Sequence, residues 1–298
     1  MIEYSKLMDA KPQYLVDIEQ AFENAKEGKL IALVNQNFEL AAKYRETERE
    51  LKEKLEKLWK EYENSFSEDL EKIINRGFCY SNIQNQSDIL VTGINPSYRV
   101  QDTGNQEFCV FFDYQTKRHE KDRYFKSIDN LFVNEDKEKV TYIDIFNIKE
   151  TVQKNTSLFY KESQNKGIRF LSENLAITQT LIEKVIKPKL IIVRNKGSWD
   201  FWGLNAEQNN GWKNVWMGYK FDKIEKFPDS DIGKVRKISG LIDSEQRVDY
   251  NNLEKTNLEG TIVLFTNHFQ YCKKEKRPTP ELIKELYEMA INNKNKQF

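Results

Sequence analysis

The sequence predicts an α/β protein: a three-layer α/β/α sandwich around a central four-stranded, mostly parallel sheet, preceded by an α-helical N-terminal region. Three observations carry that reading. Four short runs, ILVTGI (89–94), VTYIDIFNI (140–148), KLIIVRN (189–195) and TIVLFTNHF (261–269), are apolar almost without alternation, as strands covered on both faces are. Between the second and third, a helical pattern from about Ile168 to Ile186 stops at Pro188, as a crossover helix would. Upstream, residues 13–74 hold no proline and a single glycine, Gly28, in a segment rich in Glu, Lys, Leu and Ala.

Taken in order, residues 1–76 read as a helical extension and residues 77–298 as the α/β domain. Within the extension, Leu51, Leu55, Leu58 and Tyr62 form an apolar stripe with opposite charges interleaved on the other face. Two readings stay open for it: a charged helix capping the domain, or a short coiled-coil seam joining a homodimer. Residues 204–258 interrupt the strand–helix alternation, and WKNVWMGYKFDKIE and GKVRKISGLID within them read as added antiparallel strands. Trp199, Trp202, Trp212 and Trp216 read as core or hairpin packing.

The 298 residues are 39% hydrophobic and 32% charged, a globular composition without an apolar run of the roughly 18–20 residues a membrane span needs. The opening MIEYSKLMDAKPQ lacks the basic-then-apolar order of a secretion signal, so the reading is a cytoplasmic chain without membrane contact. Cys79, Cys109 and Cys272 are far apart and lack metal-ligand spacing, and neither disulfide, metal nor cofactor is expected. Net charge is zero, but residues 1–76 hold 13 Lys and Arg against 17 Asp and Glu, net −4, which leaves +4 in the remainder. A local basic patch on nucleic acid is thereby permitted.

The chemistry-bearing residues fall where the strands end, the place at which parallel α/β sheets build sites. The first strand runs into Gly93-Ile94-Asn95-Pro96-Ser97, the second ends at Asn147, the third at Arg194–Gly197 and the fourth at Asn267-His268. Each has a plainer reading alone: a turn former for Asn95, a strand-end Asx turn for Asn147, a satisfied edge histidine for His268. Their recurrence at equivalent ends favours a shared site.

GINPS resembles the first motif of the uracil-DNA glycosylase superfamily, above all the GINPG and GMNPG forms of its mismatch-specific and single-strand-selective branches. The resemblance spans residues 77–298 and leaves out the N-terminal helices and the 204–258 insertion. It implies that Asn95 orients a water, that Gly93, Ile94 and Ser97 line the base pocket, and that Phe108, in FCVFF, stacks on an extruded base. Phe111 and Phe112 are alternatives for that ring. It further implies that Asn147, in IFN, reads the pyrimidine edge and that His268 donates to the departing base. The family's usual HPS is here His268-Phe269-Gln270, so the loop that plugs the emptied stack is expected around Phe269 or Tyr271.

The chemistry so implied is hydrolysis of an N-glycosidic bond in DNA, with an oxocarbenium-like sugar and an anionic base to stabilise. Ser97 stands where strict uracil enzymes of the family carry a ring that blocks C5 substituents, so uracil or a C5-modified cytosine of the kind found in phage DNA is the expected target, and an anti-phage role follows. Phosphate contacts are expected from Lys117, Arg118, Lys121 and Arg123, and from Lys273, Lys274, Lys276 and Arg277. The rival readings are a non-catalytic nucleic-acid binder on the same fold and a hydrolase of free nucleosides.

Overall fold

The chain divides into two compact units, residues 1–47 and 48–298. In this computed structural model the described residues are 42, 45–46, 48–81, 87–98, 107–119, 123–204, 215–269 and 272–295. The helices expected over residues 1–41 therefore lie outside them.

The second unit begins at Glu48 and not near residue 77, because the helix α1, residues 48–61, is part of its core. Leu51, Leu55, Leu58 and Trp59 are buried along one side, while Arg49–Glu53 and Lys52–Glu56 pair along the exposed side. Trp59 packs 5.0 Å from the ring of Phe78 and 4.9 Å from that of Phe170, and its Nε1 donates to the carbonyl of Ile74. The stripe is covered within its own unit, which removes it as a dimer seam. Helix α2 (Glu68–Ile74) follows, and Gly77 turns the chain with φ +74° where a Cβ would strike the carbonyl of Phe108.

Strand β1 (Phe78–Ser81) pairs in parallel with β3 (Cys109–Phe112), a small second sheet absent from the sequence reading. The main sheet has six strands, not four: β2 (Ile89–Gly93), β4 (Val140–Asp144), β5 (Leu190–Val193), β8 (Ile262–Thr266), β7 (Gly233–Leu241) and β6 (Tyr219–Lys223). Their order is β4-β2-β5-β8-β7-β6. The first four are mutually parallel, and the insertion supplies the antiparallel pair β6 and β7 that extends the edge beyond β8. The fold is thus mixed α/β with a mostly parallel sheet.

Alternation along the buried strands feeds two apolar clusters. Leu90, Ile143, Ile191, Val193, Val263 and Phe265 join α1, α2 and α6 (Lys166–Leu181). Ile89, Val91, Tyr142, Ile192 and Leu264 join α4 (Arg123–Asp129) and α8 (Pro280–Asn295). Helix α6 is the expected crossover. It runs on through a π-helical turn, Ile182–Ile186, and ends at Lys187 with φ 47°, one residue before Pro188. Short helices α3 (Tyr114–His119), α5 (Leu158–Lys161) and α7 (Trp199–Trp202) complete the unit. Among the described residues no helix is long and apolar enough to cross a membrane.

Candidate functional site

The GINPS turn leaves β2 and is laced to the chain that leaves β4. Ile145 N–H donates to Gly93 O, Phe146 N–H to Ile94 O and Glu150 N–H to Pro96 O. Asn95 closes the lacing: its Nδ2 donates to the carbonyls of Pro96, Ile148 and Glu150. Three carbonyls on one side of the amide fix which end is nitrogen. The Oδ1 therefore faces the other way, and it is buried without a hydrogen-bond partner among the described residues. Glu150 holds the backbone that Asn95 grips, with its own carboxylate bound to Arg76 at 2.8 Å and to Val152 N–H at 2.7 Å. The Arg76 guanidinium lies 4.5 Å from the Tyr98 ring just past the motif. Ile94 is buried and Ser97 is exposed.

Asn147 serves the scaffold. Its Nδ2 donates to Cys79 O at 2.8 Å, its backbone N–H donates to Asn174 Oδ1, and its carbonyl accepts from Cys79 N–H. The donor expected to read a pyrimidine edge is engaged with β1, and its buried Oδ1 has no partner among the described residues.

Strand parity brings polar groups together on the α4/α8 face. Asp144 lies opposite Gly93, and Arg194 continues β5 just past Val193, the partner of Thr92. Gly93 is a glycine for that reason: a Cβ there would stand 2.1 Å from both Asp144 Oδ1 and Tyr142 Oη. Tyr142 Oη donates to Asp144 Oδ1 at 2.8 Å and lies 3.0 Å from Tyr124 Oη. The Arg194 guanidinium is 1% exposed and sits between aromatic rings, 4.8 Å from that of Tyr124 and 4.6 Å from that of Phe269. Its Nε, Nη1 and Nη2 lack a hydrogen bond of ordinary length among the described residues.

His268 closes this row at the end of β8, its ring 6.2 Å from Tyr124. Burial, and then the charge of Arg194, lower its pKa to about 4, so the imidazole is neutral at pH 7. Burial raises the Asp144 carboxyl to about 7, against the opposing pull of the Tyr142 hydrogen bond and Arg194. Two groups with opposite charging habits are thereby both neutral between about 4 and about 7.

A hollow of about 770 Å³ opens beside the histidine, walled by His268, Asn267, Trp199, Lys196, Lys234 and Asp231 among others. The Nζ of Lys196 and that of Lys234 stand 5.9 Å and 5.7 Å from the Trp199 ring. Of the three residues expected to converge on one cavity, His268 lines this hollow and Asn95 and Asn147 do not.

Several other expectations are corrected. Phe108 is 50% exposed but packs against Phe78 and lines a smaller hollow with Trp59 and Ile74, on the α1 side. Phe112 is the ring of that run that borders Tyr142, at 6.0 Å. Arg118 is withdrawn from any phosphate by Glu138 and Asp129, its side chain 7% exposed. Phe269 is buried beneath Arg194 and cannot plug a base stack. Arg277 donates through Nε and Nη2 to Cys272 O and shapes its own loop. Lys273 and Lys274 are exposed, and Lys276 pairs with Asp231. Lys121 and Tyr271 lie outside the described residues, as does Trp212, while Trp199, Trp202 and Trp216 are buried as expected.

Sequence reasoning named Arg194 only as a strand end and passed over Asp144. The available signal was a charged residue two positions beyond an inward-facing tyrosine on a buried strand. No protein-family model matches the chain, and no curated protein matches its sequence.

Proposed function

We propose that the chain is a DNA glycosylase on a uracil-DNA-glycosylase-like, three-layer α/β/α domain, cleaving the N-glycosidic bond of a flipped-out uracil or C5-modified cytosine and leaving an abasic site. The observation that carries this reading is the Asn95 amide, clamped through its nitrogen so that a buried oxygen, without a partner among the described residues, is left to accept from a water. An amide oxygen orients a nucleophile without charging the site. His268, neutral at pH 7, supplies an N–H donor for the oxygen on which negative charge gathers as the base departs. A donor of that kind contributes about 2–4 kcal/mol to barrier lowering when preorganised. The hollow beside it offers two cations, Lys196 and Lys234, to the phosphates of a bound strand. An anti-phage role for base removal from modified phage DNA belongs to the same proposal.

A second reading, a non-catalytic nucleic-acid binder, draws on one observation: the Asn147 donor is taken by Cys79 and is not free to read a base. Alkali-induced strand scission of oligonucleotides holding uracil or 5-hydroxymethylcytosine separates the two. Scission by the wild type that Asn95→Ala and His268→Ala each abolish supports the glycosylase. Tight binding by all three proteins without scission supports the binder.

A further inference from the structure

Past the ends of β4, β2 and β5, the side chain of Asp144, the bare Cα of Gly93 and the side chain of Arg194 form one row on the α4/α8 face. The Asp144 carboxyl and the Tyr142 hydroxyl fill the space that a side chain on Gly93 would need. The carboxyl thus stands at the strand end, opposite the residue that lies only two positions before Asn95. It takes one hydrogen bond among the described residues, from Tyr142 to Oδ1, and Asp144 keeps some solvent access.

We propose that Asp144 is the proton acceptor of the reaction, receiving the proton of the water that Asn95 orients. The assignment rests on the glycosylase reading. Hydrolysis needs such a group, since an amide oxygen is too weak a base to hold a proton near neutral pH. The water oxygen bonds to C1′ of the sugar, and the C1′–N bond breaks with its electron pair going to the base. The water's proton passes to the Asp144 carboxylate, which later returns it to the departing base or to solvent. His268 donates its N–H to the base oxygen and keeps its proton.

Among the described residues, five groups lie toward the carboxyl. Tyr142 lies on its own strand, Tyr124 on α4, Arg194 beyond β5 and Cys79 on β1, with His268 beyond Tyr124. Burial sets the carboxyl at about 7, where it is half ionised and able both to take and to give a proton. The competing role is purely structural, with the carboxyl anchoring Tyr142 and offsetting the charge of Arg194.

Single-turnover base release from uracil and 5-hydroxymethylcytosine oligonucleotides, followed from pH 5 to 9 with thermal unfolding alongside, decides between them. Asp144→Asn keeps the shape and still accepts from Tyr142. The wild-type rate is expected to rise with pH through about 7. Asp144→Asn loses about 10²-fold or more in rate and loses that rise, while DNA affinity stays near wild type and the variant remains folded across the pH range. Tyr142→Phe, which removes the hydrogen bond favouring the carboxylate, moves the rise to higher pH. An Asp144→Asn enzyme with wild-type rate and pH profile, or a Tyr142→Phe profile that does not move, overturns the assignment alone. No release by the wild type from either oligonucleotide overturns the glycosylase reading, and the assignment with it.

Discussion

Asn95 grips the backbone of Glu150: its side-chain Nδ2, just past the end of β2, donates to the Glu150 carbonyl on the chain leaving β4, and the same nitrogen reaches the carbonyl of Ile148. Replacing that nitrogen by oxygen turns both contacts repulsive. Asn95→Asp is therefore expected to destabilise the fold by about 2–4 kcal/mol at pH 7, since a carboxylate would face two carbonyls with no proton between them. Urea unfolding of the two proteins at pH 7 measures the difference, and equal midpoints would mean that the clamp is not formed.

Gly93→Ala tests the space that Asp144 occupies. A methyl group placed 2.1 Å from two oxygens must push the carboxyl or the Tyr142 ring aside. The expected cost is about 1–3 kcal/mol of stability, as for other overpacked cores, together with loss of base release. A variant as stable and as active as the wild type would contradict the placement.

The pH dependence of stability has two opposing contributions. His268 has its pKa lowered from 6.5 to about 4, so between those values the unfolded chain binds the extra proton and stability rises with pH. Asp144 is raised from 3.8 to about 7, so across that window the native state holds the proton and stability falls as pH rises. The two slopes largely cancel between pH 4 and 6.5. Asp144→Asn is expected to expose the rise and His268→Gln the fall, each by at most about 1.4 kcal/mol per pH unit, with the share of His268 reduced because it is only partly buried. Urea titrations at pH 4.5, 5.5 and 6.5 read out both signs, and parallel curves for all three proteins would refute the linkage.

Lys196 and Lys234 flank Trp199 at the mouth of the hollow. Replacing either with Gln is expected to weaken DNA binding at low salt and to lower the slope of log K against log salt by about 1. Fluorescence anisotropy at four salt concentrations measures it. An unchanged slope would move the phosphates to the exposed Lys273 and Lys274.

Much of the fold was legible because burial on both faces leaves its own trace: the runs at 89–94, 140–148, 189–195 and 261–269 lack alternation, and each contains a strand of the main sheet. Pro188 marked the end of the crossover helix for an equally local reason. The small sheet was not legible, since FCYS and CVFF are short and pair across a long stretch of chain. Nor was the place of α1, because a stripe such as Leu51-Leu55-Leu58 shows that a face is buried without saying what covers it. At the site, Asn95 and His268 were found through a motif, whereas Asp144 and Arg194 acquire meaning only from the register that sets them on either side of Gly93. Asn147, Arg118 and Phe269 are engaged elsewhere for the converse reason: nothing local shows that Cys79, Glu138 and Arg194 will claim them.

The most direct measurement is mass spectrometry of the free bases released when wild type and Asn95→Ala are incubated with DNA containing uracil or 5-hydroxymethylcytosine. The account requires one of those bases from the wild type, in amounts matching the abasic sites formed, and a loss of about 10²-fold or more from the variant. Equal release by both proteins, or none by the wild type, would contradict it.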